Sequence, residues 1–120
     1  MKKIIFTGNA PTPIGPYSQA ILINGTLYCS GQIAGDCLDR DVAVQAETVC
    51  ENISAVLQAA NMKIQDVVKT TCFLADMAHF TGFNEVYERY FAHKPARSCI
   101  AAKELPRGAL VEIEVVAMVD

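Results

Sequence analysis

Two hydrophobic periods run along the chain, one helical and one extended. From Val42 the apolar residues fall at Val42, Ala46, Val49, Ile53, Val56, Leu57 and Ala60. Intervals of three and four trace one face of a helix. Gln45, Glu47, Glu51 and Gln58 lie off that stripe and are expected on its solvated side. Asp41 is placed to cap the helix start, and Asn61 to end it in a left-handed conformation. A second helical region opens at Asp76, where Phe80, Phe83, Tyr87, Tyr90 and Phe91 repeat at the same intervals. Such an aromatic stripe predicts core packing rather than cofactor contact. Asn84 lies one step off Phe83, at the stripe's edge. An amide there is either solvated or hydrogen-bonded inside a cleft.

The other segments read as strands. Ile4–Phe6 is short. Ala20–Ile23 and Leu27–Ser30 flank Asn24-Gly25, a strong hairpin signal because both turn positions tolerate positive φ. Ile64–Ala75 is β-branched and aromatic, which predicts a strand buried on both faces. Another strand opens at Arg97. In Leu110–Val119, Val111, Ile113, Val115 and Ala117 alternate with Glu112 and Glu114. The two glutamates therefore share one face, ordinarily the wet side of a sheet. Gly8–Pro16 holds three prolines and two glycines, which predicts a stiff loop. Ala34–Asp41 and Lys103–Gly108 are a loop and a turn. The order β-β-β-α-β-α-β-β predicts an α+β fold, a mixed sheet with two helices packed on one face. The other face must then meet water or another subunit.

Composition narrows the class. The 120 residues fit a single domain, 1–120, and 52% hydrophobic with 19% charged permits a real core. The positive mean hydropathy favours a subunit on the open face. Formal net charge is −3, and the ten basic residues are scattered from Lys2 to Arg107. No basic footprint for nucleic acid is visible. Five cysteines show no paired or metal-ligand spacing, so neither a disulfide framework nor a zinc site is expected. Reduced thiols in a cytoplasmic protein are the simplest reading. The apolar start is too short for a signal peptide, and no run approaches a membrane span.

The candidate chemistry centres on Pro95-Ala96-Arg97-Ser98-Cys99-Ile100. Alternation along a strand points Arg97 and Cys99 the same way. A guanidinium fork can grip a carboxylate through two parallel hydrogen bonds, although a surface arginine or a structural ion pair is the commoner fate. Tyr17 ends the Pro-rich loop and suits either core packing or a pocket wall. Ser30-Gly31 ends a strand, either as a plain turn or as a hydroxyl and bare amides offered to a ligand.

Together these segments resemble the Rid/YjgF/UK114 family of reactive-intermediate deaminases. The match is carried by Ile14-Gly15-Pro16-Tyr17-Ser18-Gln19-Ala20, Ser30-Gly31-Gln32-Ile33, Asn84-Glu85-Val86-Tyr87, Pro95-Ala96-Arg97-Ser98-Cys99, and Leu105-Pro106 followed by Glu112-Ile113-Glu114. It runs from about Lys3 to Met118. The resemblance implies a chorismate-mutase-like α+β fold and a homotrimer with clefts between subunits. It also implies hydrolysis of 2-imino acids, or their enamine tautomers, to 2-keto acids and ammonia, without metal or organic cofactor. By that likeness Arg97 binds the substrate carboxylate with help from Ser30 and the Gly31 amide. Tyr17 and Asn84 line the cleft, while Cys99 and Glu112 place the water. Glu112 can accept the water's proton. A thiolate at Cys99, favoured by Arg97, would make it sensitive to oxidation. The segments around 33–41 and 91–95 look shorter than in typical members, and Lys94 stands where an aromatic or apolar residue is common. Substrate size is what these departures affect. The rival readings are a non-enzymatic trimer that binds small carboxylates and, against the acidic charge balance, an RNA-cleaving or translation-inhibiting protein.

Overall fold

The computed structural model describes residues 1–119. Its described strands form one mixed sheet: β1 (Lys3–Ile5), β2 (Ala20–Ile23), β3 (Thr26–Gln32), β4 (Val67–Leu74), β5 (Ala96–Ala101) and β6 (Val111–Met118). Their spatial order is β1-β2-β3-β6-β4-β5. Helix α1 (Val42–Ala59) leads from β3 to β4, and α2 (Phe80–Tyr90) from β4 to β5. The helical crossover makes β4–β5 parallel, while the other pairings are antiparallel.

Local sequence accounts for most element ends. The Asp41 carboxylate accepts from the Val44 amide at 3.0 Å and caps α1. Asn61, just past the helix, takes φ +59, the left-handed exit that asparagine tolerates. Asn24 and Gly25 both adopt positive φ between β2 and β3. Asp76 starts a short 3-10 turn by accepting from the Ala78 amide at 2.8 Å, and that turn runs into α2.

The helices pack against each other, and α1 lies on β3 and β6. Ile53 and Leu57 of α1, Phe83 of α2, and Leu27, Leu74 and Ile113 of the sheet are fully buried. Removing each from water contributes about 1.5–3 kcal/mol. The opposite face of the sheet carries Tyr28, Val116 and Met118, with Tyr28 and Met118 about half exposed in the single chain. Val116 lies opposite Tyr28 in the β3–β6 ladder. No helix of the described residues is long and apolar enough to cross a membrane.

The expectation for β4 fails in two ways. β4 begins at Val67, because Ile64–Asp66 forms a 3-10 turn in which Asp66 accepts from the Lys63 amide at 2.9 Å. Nor is β4 covered on both faces. Val67, Thr70, Cys72 and Leu74 are buried under the helices, whereas Val68 and Lys69 are exposed and Thr71 and Phe73 only half-buried. Its β-branched residues fit the pleat on either side, so composition could not separate the two faces.

Gln45 is the second correction. It is fully buried, not solvated. Its amide donates to the carbonyls of Leu38 at 3.2 Å and Arg40 at 2.8 Å, and its Oε1 accepts from the Leu110 amide at 3.0 Å. The side chain serves loop backbone that no ladder reaches.

Candidate active site

Arg97 sits on β5, at the edge of the sheet. Its register partner is Thr70, whose side chain is buried beneath the helices. Arg97 therefore points to the helix side. There Nη1 donates to Asn84 Oδ1 at 2.8 Å. The guanidinium lies over the Tyr87 ring, 4.8 Å from its centroid, with Phe80 at 5.6 Å. These are attractive cation–π distances. The Tyr87 hydroxyl is fixed in turn by a 2.7 Å hydrogen bond with Thr70 Oγ1.

Among the described residues no carboxylate lies within 4.0 Å of the Arg97 guanidinium. The ion pair they contain joins Arg89 and Glu47 at 3.7 Å, on the outside of the helices. Arg97 is thus neither a free surface arginine nor half of a structural salt bridge. Neutral partners hold it, and the charge faces a depression of about 560 Å³ lined also by Phe80, Asn84, Glu85, Glu88, Phe91 and Lys94. The aromatic stripe thus does more than fill the core: Phe83, Tyr87 and Phe91 are buried, while Phe80 and Tyr87 also form the platform for the cation.

Cys99 follows on the same face, opposite Cys72 of β4. Burial raises the Cys99 thiol pKa, while Arg97 acts to lower it. The net direction is upward, so the expected thiolate is not favoured. Desolvation outweighs one partly exposed cation.

Glu112 lies elsewhere. Its register partner is Phe73, on the open face of the sheet. There it lines a second depression of about 410 Å³ with Tyr17, Ser30, Gly31, Ile33 and Pro106. Burial pushes the Glu112 carboxyl above its usual range, and the charge of Glu114 adds to the shift. The β3–β6 register shifts between Cys29 and Gln32. Within that irregularity a Cβ on Gly31 would collide with the Glu112 carboxylate. The glycine's lack of a side chain is what gives the acid its place.

Ser30 contributes differently from expectation. Its hydroxyl donates to the Ser18 carbonyl at 2.6 Å, and its amide donates to the Gln19 carbonyl at 2.9 Å. The hydroxyl proton is committed, which leaves its oxygen as an acceptor. Gln19, which the motif reading passed over, is buried; it accepts from the Thr7 amide at 2.8 Å and donates to the carbonyls of Thr7 and Pro11. It ties the Pro-rich loop to β2 and so positions Tyr17, which stays half exposed. A polar amide just before an apolar strand was the one signal the sequence offered.

The predicted residues therefore form two groups on opposite sides of one sheet. Arg97, Asn84 and Cys99 stand on the helix side. Tyr17, Ser30, Gly31 and Glu112 stand on the other. A single copy does not bring the arginine and the glutamate together.

Residues 7–119 match the family model described as endoribonuclease L-PSP. A conserved Rid-family protein from Yersinia pestis has a crystal structure that superposes with a TM-score of 0.94 at 46% identity, covering 99% of this chain and 100% of that one. The chain belongs to the Rid family. Other Rid-family relatives add detail. A RutC family protein of Pyrococcus horikoshii is 46% identical over 98% of both chains. The human 2-iminobutanoate/2-iminopropanoate deaminase is 41% identical over 98% of this chain and 90% of its own. The crystal structure of Escherichia coli TdcF with bound serine superposes with a TM-score of 0.93 at 36% identity, covering 98% of this chain and 99% of that one.

Proposed function

We propose that this Rid-family chain hydrolyses 2-imino acids, of the 2-iminobutanoate and 2-iminopropanoate class, to 2-keto acids and ammonia. We further propose that it does so as a homotrimer, with Arg97 of one copy facing Glu112 of the next across each cleft. The observation that carries this reading is Arg97 itself: a guanidinium aimed at a depression, held by an amide and two rings, with no carboxylate partner among the described residues.

The chemistry follows from these groups. Arg97 takes the substrate carboxylate through paired hydrogen bonds. That fixes the adjacent iminium carbon, which is already electrophilic, so orientation supplies much of the rate. Glu112 takes a proton from water as the oxygen adds to that carbon, giving a carbinolamine. The Glu112 carboxyl then returns that proton to nitrogen; as the C–N bond breaks and ammonia leaves, the carboxylate takes the hydroxyl proton so that the carbonyl forms, and passes it to the ammonia. Water and iminium give keto acid and ammonium, with no oxidant or reductant.

Support for the assembly is the separation of the two half-sites, with the apolar residues on the open sheet face. The test generates 2-iminobutanoate and 2-iminopropanoate with an amino-acid oxidase, lets semicarbazide compete for them, and adds the protein. Faster keto-acid release, lost in Arg97→Ala, is the expected result. No acceleration of either imine would overturn the deaminase. If Glu112→Gln then retained ligand affinity, the small-carboxylate-binding reading would replace it.

A further inference from the structure

A third depression, of about 580 Å³, belongs to neither half-site. Its walls are the Pro-rich loop, the segment around Gly35, one side of α1, and Arg107. The walls are well set: Gly35 adopts φ +64, and a Cβ there would press within 3.3 Å of the Pro11 ring. Arg107 likewise holds φ +58, a conformation that costs an arginine strain.

The polar groups in this cavity are of both signs. Arg107 and Asp36 both line it, yet no ion pair within 4.0 Å joins them. From α1, Thr48 and Asn52 face it one turn apart. Asn52 is only 9% exposed. Its Nδ2 donates to the Ile33 carbonyl at 3.3 Å, whereas its Oδ1 accepts nothing among the described residues. Among the described residues, side-chain polar atoms cut off from solvent are all partnered. The free Oδ1 therefore opens onto the cavity.

We infer that this cavity is a second ligand site, and that it takes the zwitterion of a free α-amino acid. Arg107 suits the carboxylate as a two-pronged donor. Asp36 and Asn52 Oδ1 suit the ammonium, which needs acceptors only. A plain anion would leave Asp36 as a repulsive neighbour, and a plain cation would meet Arg107. Both charged groups are well exposed, so the affinity is weak, on the order of millimolar. Ile14 lines this cavity and also the depression that holds Tyr17 and Glu112. A ligand here would press on the loop that carries Tyr17.

The test is a 15N–1H chemical-shift titration of the full chain with L-serine, with acetate and ethylamine as controls. It is run on the wild type and on Arg97→Ala, which removes the cation of the other proposed site. The Asn52 side-chain amide and the Gly35 amide are expected to shift with L-serine in both proteins. The shifts should need about tenfold more serine in Arg107→Gln or Asp36→Asn, both surface changes. Three results would each overturn the inference: no shift at these amides, equal response to acetate or ethylamine, or loss of the shifts in Arg97→Ala. None of them bears on imine hydrolysis.

Discussion

Gly31 and Glu112 occupy one space: a Cβ at residue 31 would overlap the glutamate's carboxylate. The rigid neighbour here is backbone, so the acid must move. Gly31→Ala is expected to fold and to lose about a hundredfold in turnover, the range a misplaced general base costs. Imine turnover and thermal melting, measured side by side, check it. Unchanged turnover would remove Glu112 from the proton transfer.

Arg97→Lys keeps the charge and loses the fork. A lysine cannot span both carboxylate oxygens in one plane. Its KM for imine is expected to rise by about tenfold or more, with kcat less affected, since a charge-assisted hydrogen bond contributes about 1.5–3 kcal/mol. Asn84→Ala should act in the same direction and more weakly, because it only steadies the guanidinium. Steady-state kinetics with both variants would show it, and a KM unchanged in Arg97→Lys would exclude a bidentate grip.

The pH dependence follows from the raised Glu112 carboxyl. Activity should fall on acidification through that raised value, because the base becomes protonated. Glu114 is the second cause of the shift, so Glu114→Gln should move the acid limb of the profile to lower pH. Stability has the opposite sign. A carboxyl raised in the folded state binds its proton more tightly there than when unfolded, so Glu112 disfavours folding above its folded value and the penalty fades as pH falls. Glu112→Gln is therefore expected to melt higher than the wild type near neutrality and to lose that advantage in acid. Melting curves across pH would decide the sign.

Gln45→Ala would leave two carbonyls and the Leu110 amide without their partner. Unsatisfied buried groups cost about 1–3 kcal/mol each when water cannot reach them. The expected loss is about 3 kcal/mol, read from urea denaturation, with some relief if water enters. A loss within ordinary surface scatter would mean these loops find other partners.

The thiols should separate by burial. Cys29, Cys50 and Cys72 are pushed up to about 12, chiefly by burial. Only Cys37 and Cys99 are partly exposed. Iodoacetamide is expected to label those two first in the folded protein, and Arg97→Ala to slow Cys99 further by removing the lowering charge. Early labelling of Cys72 would contradict the packing of β4 under the helices.

What the sequence carried and what it withheld divide along physical lines. The stripe on α1, the Asn24-Gly25 turn and the alternation of β6 are local periodicities, and each reappears in the fold. The polarity of Gln45 misled because its partners come from loops at 38, 40 and 110, and no periodicity records loop carbonyls. Arg97 and Glu112 were both legible as reactive types. Their placement on opposite faces was not, because it depends on the register of β4 against both β5 and β6. A shift of one residue in either ladder would reverse it. Gly31 was noticed for its amide, while its decisive property, the room it leaves, exists only once Glu112 stands beside it.

The split of arginine and glutamate between two faces has a genetic consequence under the proposed assembly. Chains carrying Arg97→Ala and chains carrying Glu112→Gln would each form inactive rings alone. Mixed in one ring, they leave one cleft where a sound arginine from one chain meets a sound glutamate from its neighbour. Two null alleles expressed together would then restore part of the activity that neither provides, as interallelic complementation.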